Sequence, residues 1–82
     1  MRPYQAFFAD AVAETILNLP RRKARKLLNL CEQLASNPFV TSDYRVKDAE
    51  GREIDHISIG DFIIAYWVDH PVCKVMIVEV IL

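Results

Sequence analysis

The sequence predicts an α+β protein in which a two-helix hairpin packs on a mainly antiparallel four-stranded sheet. Three observations carry that expectation. Apolar residues recur at helical spacing between residues 10 and 36. From residue 53 onward β-branched and aromatic residues dominate, and Gly60-Asp61 interrupts them as a hairpin turn would. The chain has 82 residues, 52% hydrophobic and 26% charged, which suits a globular protein with one core, so residues 1–82 are expected to form a single domain.

The elements follow in order. Tyr4 to Phe8 is a short aromatic-rich strand with Pro3 at its start. Asp10 is placed to cap a helix whose apolar positions are Val12, Ile16, Leu17 and Leu19. Leu19-Pro20 ends it, because a residue before proline avoids the helical region, and Pro20 suits the first turn of the next helix. Ala24, Leu27, Leu28, Cys31, Leu34 and Ala35 form one apolar stripe, and Asn37-Pro38 stops it. Residues 37–52 read as irregular and polar. Strands are expected at Glu53–Ile59, Phe62–Val68 and Lys74–Ile81, with a second turn at Asp69-His70-Pro71-Val72.

Register follows from the Gly60-Asp61 turn. It pairs Ile59 with Phe62, Ile57 with Ile64 and Asp55 with Tyr66 on the face expected to lie under the helices. Ser58 with Ile63, His56 with Ala65 and Ile54 with Trp67 then face outward. Ile54, Ile63, Ala65 and Trp67 make that outer stripe unusually apolar, which suits a protein interface. In Lys74–Ile81 both parities are apolar, so its register stays open.

Composition also excludes. Two glycines leave no Gly-rich phosphate loop. No apolar run reaches the ~18 residues of a membrane span and no signal peptide pattern opens the chain, so a cytoplasmic protein with no membrane contact is expected. Cys31 and Cys73 read as reduced thiols without metal-ligand spacing, and no cofactor or metal is expected. The formal net charge of −1 hides an asymmetry: residues 1–42 carry six basic and three acidic side chains, residues 43–82 four basic and eight acidic. Five of the six residues from Arg21 to Lys26 are cationic. Arg21, Arg22, Lys23, Arg25 and Lys26 open a helix, where cations oppose its dipole, which points to a task such as meeting phosphate or an acidic protein.

The succession of Leu19-Pro20, a helix with Leu27, Leu28 and Leu34, Asn37-Pro38, Asp43-Tyr44, Gly51-Arg52, Gly60-Asp61-Phe62-Ile63-Ile64-Ala65-Tyr66, Trp67-Val68-Asp69-His70-Pro71-Val72 and Lys74-Val75-Met76-Ile77-Val78-Glu79-Val80 resembles the RelE/ParE toxin superfamily of bacterial type II toxin–antitoxin systems. The resemblance implies a toxin of the plasmid-stabilisation kind, acting in translation repression and neutralised by a cognate antitoxin. It implies the ribosome and its RNA, or gyrase, as targets. Ribosome-dependent RNases of this family rely on lysines in one strand, an arginine just after the aromatic of the next, and a further arginine beyond the last strand. Here the lysine-bearing strand offers His56 and Ser58, the arginine position holds Ile63, and the final arginine would fall past Leu82. RNA cleavage needs groups that move protons and stabilise charge on phosphorus, and Ile63 supplies neither. The gyrase-directed branch lacks these residues as well.

His56 is the one neutral-range titratable group on the outer face and the single weak catalytic candidate. Tyr44, Arg45, Lys47 and Arg52, in or beside the irregular segment, are candidates for contacts to nucleic acid or to a protein partner, together with the basic run. The competing readings are a non-catalytic RelE-fold protein-binding module and a homodimer built on the apolar stripe.

Overall fold

The computed structural model describes residues 3–82; Met1 and Arg2, one of the basic residues counted above, lie outside the described residues. The elements run β1 (Gln5–Phe8), α1 (Asp10–Asn18), α2 (Arg21–Ser36), β2 (Tyr44–Lys47), β3 (Glu53–Ile59), β4 (Phe62–Asp69), a 3-10 turn (His70–Val72) and β5 (Lys74–Ile81). The sheet has five strands, in the order β1-β5-β4-β3-β2, and not the four expected. β1 pairs with β5 in parallel and the other three pairings are antiparallel.

The added strand is β2, inside the segment read as irregular. It is only four residues long and every one is exposed. Tyr-Arg-Val-Lys does alternate, but its basic members and the polar residues around it mask the strand pattern. Asp43 fixes its start: Asp43 N–H donates to His56 O at 2.8 Å, and Ser58 N–H donates to Asp43 Oδ2 at 2.6 Å. Asp48 builds the loop to β3 by accepting the N–H groups of Glu50 and Arg52 at 2.9 Å each on Oδ1.

Asp10 stands as the first helical residue with Ala9 in the cap position, so its carboxylate serves the helix dipole and not the cap expected of it. α2 starts directly after Pro20 and closes at Asn37. Its first turn holds no acidic residue, which leaves the basic run uncompensated there. Gly60 turns the β3–β4 hairpin with φ of +59°, a conformation few other residues tolerate.

One face of the sheet packs under both helices. Phe62, Ile64 and Tyr66 of β4 join Val75 and Ile77 of β5, and above them lie Val12 of α1 and Leu27, Cys31, Leu34 and Ala35 of α2. The β3–β4 register is the expected one from Asp55–Tyr66 to Ile59–Phe62. β5 contains a bulge: Tyr66 faces Ile77 while Ala65 faces Glu79, so Val78 is the extra residue. The bulge explains why both parities of β5 are apolar. Val75 and Ile77 enter the core before it, and Val80 turns toward the same core after it.

Candidate functional site: the open face and its rim

Among the described residues no helix covers the second face. A row of apolar side chains crosses it, set by strand pairing: Phe7 of β1 beside Met76 of β5, Met76 beside Trp67 of β4, and Ile54 of β3 beside Val46 of β2. Ile54 and Trp67 share this face one step beyond the last bonded pair, Asp55–Tyr66. A second row runs Glu79, Ala65, His56, Tyr44. Two cations lie on the aromatic members. The Arg52 guanidinium is 4.2 Å from the Trp67 ring centre and the Lys74 ammonium is 4.5 Å from that of Phe7.

The four outer-stripe residues fall on the expected face, but not all of them are open. Ile54 is 7% exposed and Ala65 1%, whereas Ile63 and Trp67 are half-buried. The unexpected strand β2 brings Val46 alongside Ile54, while Ala65 lies between His56 of β3 and Glu79 of β5. The exposed apolar area therefore comes from Phe7, Tyr44, Val46 and Ile81 around the half-buried Trp67. Residues in 37–52 thus contribute as part of the sheet, and the alternation of Tyr44 and Val46 with Arg45 and Lys47 was the signal for it.

His56 is 8% exposed, on the outer face but not at the surface. The Tyr44 ring stacks on it at 4.6 Å between centres, and its Nδ1 lies 3.1 Å from Ile54 O. With Nδ1–H donating to that carbonyl, the imidazole is spent on structure. No acidic or basic side chain hydrogen-bonds it among the described residues.

Arg45 points to the other side of β2. Its Nε donates to Asp55 Oδ1 at 2.7 Å, and Nη1 lies 3.7 Å from Glu53. The hydrogen bond to Asp55 raises the Arg45 pKa still further, so this cation is permanent but paired. Ser42 Oγ donates to the same Asp55 oxygen at 2.9 Å. Burial pushes the Tyr66 phenol upward, and nearby Asp55 adds to it. Arg45, Arg52, Asp55, Trp67, Phe39 and His70 share a pocket of about 500 Å³ at this end of the sheet. Lys47 stays exposed beside Glu53.

The structure separates the basic run from these residues. Lys26 reaches Asp61 of the β3–β4 turn at 3.5 Å, so the run lies at that end of β3 on the helix side. Arg52 precedes the opposite end of β3, roughly 20 Å away at ~3.3 Å per residue over seven residues. One cluster had no signal in the sequence. Tyr4 Oη lies 2.9 Å from His70 Nδ1, and Phe39 stacks on His70 at 5.3 Å, joining β1, the segment after α2 and the β4–β5 connection.

No family model matches the chain, and no curated protein sequence matches it. Solved structures do match it, two of them as follows. Over 96% of this chain and 93% of its own, a chain of the archaeal RelE–RelB complex from Pyrococcus horikoshii superposes with a TM-score of 0.71 at 16% identity. Over 96% of both chains, one from the toxin–antitoxin complex RelBE2 of Mycobacterium tuberculosis superposes with a TM-score of 0.78 at 18% identity. The fold is RelE-like. A helix pair on one face of the sheet and an open second face are thus the frame of a RelE-like chain. Among the described residues no helix is long and apolar enough to cross a membrane.

Proposed function

We propose that this chain is the toxin-like component of a type II toxin–antitoxin pair, held by a cognate antitoxin, and that it acts in the cytoplasm by binding a target and not by cleaving RNA. The two solved structures compared above were determined as toxin–antitoxin complexes, which supports a protein partner. The observation that carries the binding reading is the apolar row across the open face, with Trp67 at its centre. A polar RNA-cleaving cleft has no use for such a row. Ile63 stands where the family's arginine would stabilise charge, and His56 is stacked and bonded to a carbonyl. Trp67, Ile63, Tyr44 and Val46 form the partner contact, with Ile54 and Ala65 as its floor. Arg21, Arg22, Lys23, Arg25 and Lys26 are a second, electrostatic contact on the helix side.

Expression of the chain alone in a bacterial host tests this. Growth should stop and resume when the neighbouring gene's product is supplied. Amino-acid incorporation and plasmid supercoiling, measured after induction, separate a ribosomal target from gyrase. Unimpaired growth together with a stable dimer in gel filtration would reject the toxin reading in favour of a RelE-fold binding module, which the same apolar row would serve. Robust ribosome-dependent mRNA cleavage that disappears in His56→Ala would make His56 catalytic and reject the binding mechanism.

A further inference from the structure

The pocket of about 500 Å³ at the Arg52 end of the sheet holds polar groups of two kinds. Its carboxylates are already occupied. Asp55 Oδ1 accepts from Arg45 Nε at 2.7 Å and from Ser42 Oγ at 2.9 Å, and Glu53 lies 3.7 Å from Arg45 Nη1. Its remaining donors are not. The Arg52 guanidinium makes no hydrogen bond among the described residues. The one carboxylate within 4.0 Å of it is that of Glu50, on its own loop and with a side chain 80% exposed, and such a pair holds little. The Trp67 ring 4.2 Å from the guanidinium keeps the cation in place and takes none of its N–H groups.

His70 lines the same pocket. Tyr4 Oη lies 2.9 Å from its Nδ1, and a phenol donates to a ring nitrogen more readily than it accepts from one. The imidazole proton then sits on Nε2, which meets no hydrogen-bond partner among the described residues. The walls beside these donors are apolar. Phe39 stacks on His70 at 5.3 Å yet stays 72% exposed, Val40 is exposed next to it, and Val68 lines the same space.

We propose that this pocket binds a small organic anion, its carboxylate or phosphate accepting from Arg52 and His70 and its apolar body lying against Phe39 and Val40. The guanidinium fork matches either anion, and the volume falls in the range of small-molecule sites. A cation would find both carboxylates taken by Arg45 and would meet Arg52. A bare inorganic ion would leave Phe39 and Val40 in water. The site is separate from the position of Ile63, where the family resemblance would put a charge-stabilising arginine: Ile63 lies four residues along β4 from Trp67, roughly 13 Å at ~3.3 Å per residue. The inference goes beyond the toxin reading, and its test involves neither growth nor a partner protein.

Trp67 is the single tryptophan of the chain, so its emission reports on the pocket directly. The probes are 3-phenylpropionate and phenyl phosphate, titrated into the full chain, with shifts of the Arg52 and His70 side chains followed by NMR. Saturable binding of at least one probe is expected, and the stronger of the two identifies the anion. The neutral 3-phenylpropanamide and inorganic phosphate should each bind about tenfold more weakly or not at all. Arg52→Gln, at a side chain 45% exposed, should weaken binding by about tenfold or more with the melting temperature retained. His70→Phe keeps a ring against Phe39 but removes the N–H, and Phe39→Ser removes the wall; both should weaken binding as well. Lys74→Gln removes the cation over Phe7, outside this pocket, and should change nothing. No response up to about 1 mM of either probe, equal binding of the amide, or full binding by Arg52→Gln would overturn the proposal. So would inorganic phosphate binding as well as phenyl phosphate, or a loss in Lys74→Gln equal to that in Arg52→Gln, since either reduces the site to general charge attraction.

Discussion

The two faces of the sheet use similar residues for different ends. Under the helices Ile64, Tyr66, Val75 and Ile77 are almost wholly removed from water by side chains from a second layer. On the open face Ile54, Ala65 and His56 are nearly as buried, yet among the described residues no helix covers them. Their shelter is lateral: Tyr44 stacked on His56, Val46 beside Ile54, and Arg52 across Trp67. Burial by a second layer holds the fold together. Lateral burial leaves an apolar surface ready to be covered, with cations on its aromatic members that a partner can displace or keep.

The largest expected effect comes from breaking the covered face. Leu27 is fully buried beneath α2, and Leu27→Ala should lower unfolding free energy by about 2–5 kcal/mol. Against a total of about 5–15 kcal/mol for a domain, that drops the melting temperature sharply or prevents folding, as a thermal melt followed by circular dichroism would record. A loss under ~1 kcal/mol would mean that α2 does not pack as described.

Trp67→Ala tests the open face. Trp67 is half-buried on the side away from the helices, so stability should fall less than in Leu27→Ala. Partner association should weaken by about 2 kcal/mol or more, as truncation of an aromatic anchor does. Calorimetric titration against the proposed antitoxin partner and a melt on the same variant separate the two. A loss of stability as large as that of Leu27→Ala, with binding by the folded fraction unchanged, would place Trp67 in the core and undo the distinction between faces.

The two faces also differed in how far they could be read from the sequence. The β3–β4 register was legible because a two-residue turn at Gly60-Asp61 and the period of two determine every partner up to Asp55–Tyr66. The register of β5 was not, because Val78 bulges and a bulge reverses parity without changing composition. β2 escaped because an exposed edge strand needs no apolar run, and with it went the shelter of Ile54 and His56. The contact of Tyr4 with His70 spans 66 residues, beyond any local pattern. Of the candidate site, the outer position of Trp67 and Ile63 was readable, but the pairing of Arg45 with Asp55 depended on β2 and was not.

A third measurement follows the covered face through pH. Burial, with some help from Glu32, pushes the Cys31 thiol from 9.0 up to about 11. The fold favours the neutral thiol, so its stabilisation is complete below about pH 9 and is lost as pH climbs toward 11. Tyr66, also raised, acts in the same direction at higher pH. Urea unfolding should give a free energy about 1–2 kcal/mol lower near pH 10.5 than near pH 8. Cys31→Ala should flatten much of that difference while lowering stability at both. A thiol reagent at neutral pH should modify Cys73 and spare Cys31, since only Cys31 is fully buried.

The smallest effect is expected where the two faces meet, at the connection from β4 to β5. Cys73 closes the 3-10 turn with φ of +54°, the single non-glycine residue with positive φ among those described. Its carbonyl accepts from Gln5, so the strained residue also aligns β1 with β5. A left-handed conformation costs an ordinary side chain roughly 1 kcal/mol, while glycine tolerates it but loses more freedom on folding. Cys73→Gly should therefore stabilise by no more than about 0.5–1 kcal/mol. Cys73→Asn should do about as well, because asparagine tolerates this region without that entropic cost. A β-branched residue is the worst choice there, and Cys73→Val should destabilise by about 0.5–1 kcal/mol beyond the cost Cys73 already carries. The opposite signs of the glycine and valine variants, read from two melting curves, measure the strain directly; a valine variant as stable as the parent would place Cys73 outside the left-handed region and leave β1 aligned by its other bonds alone.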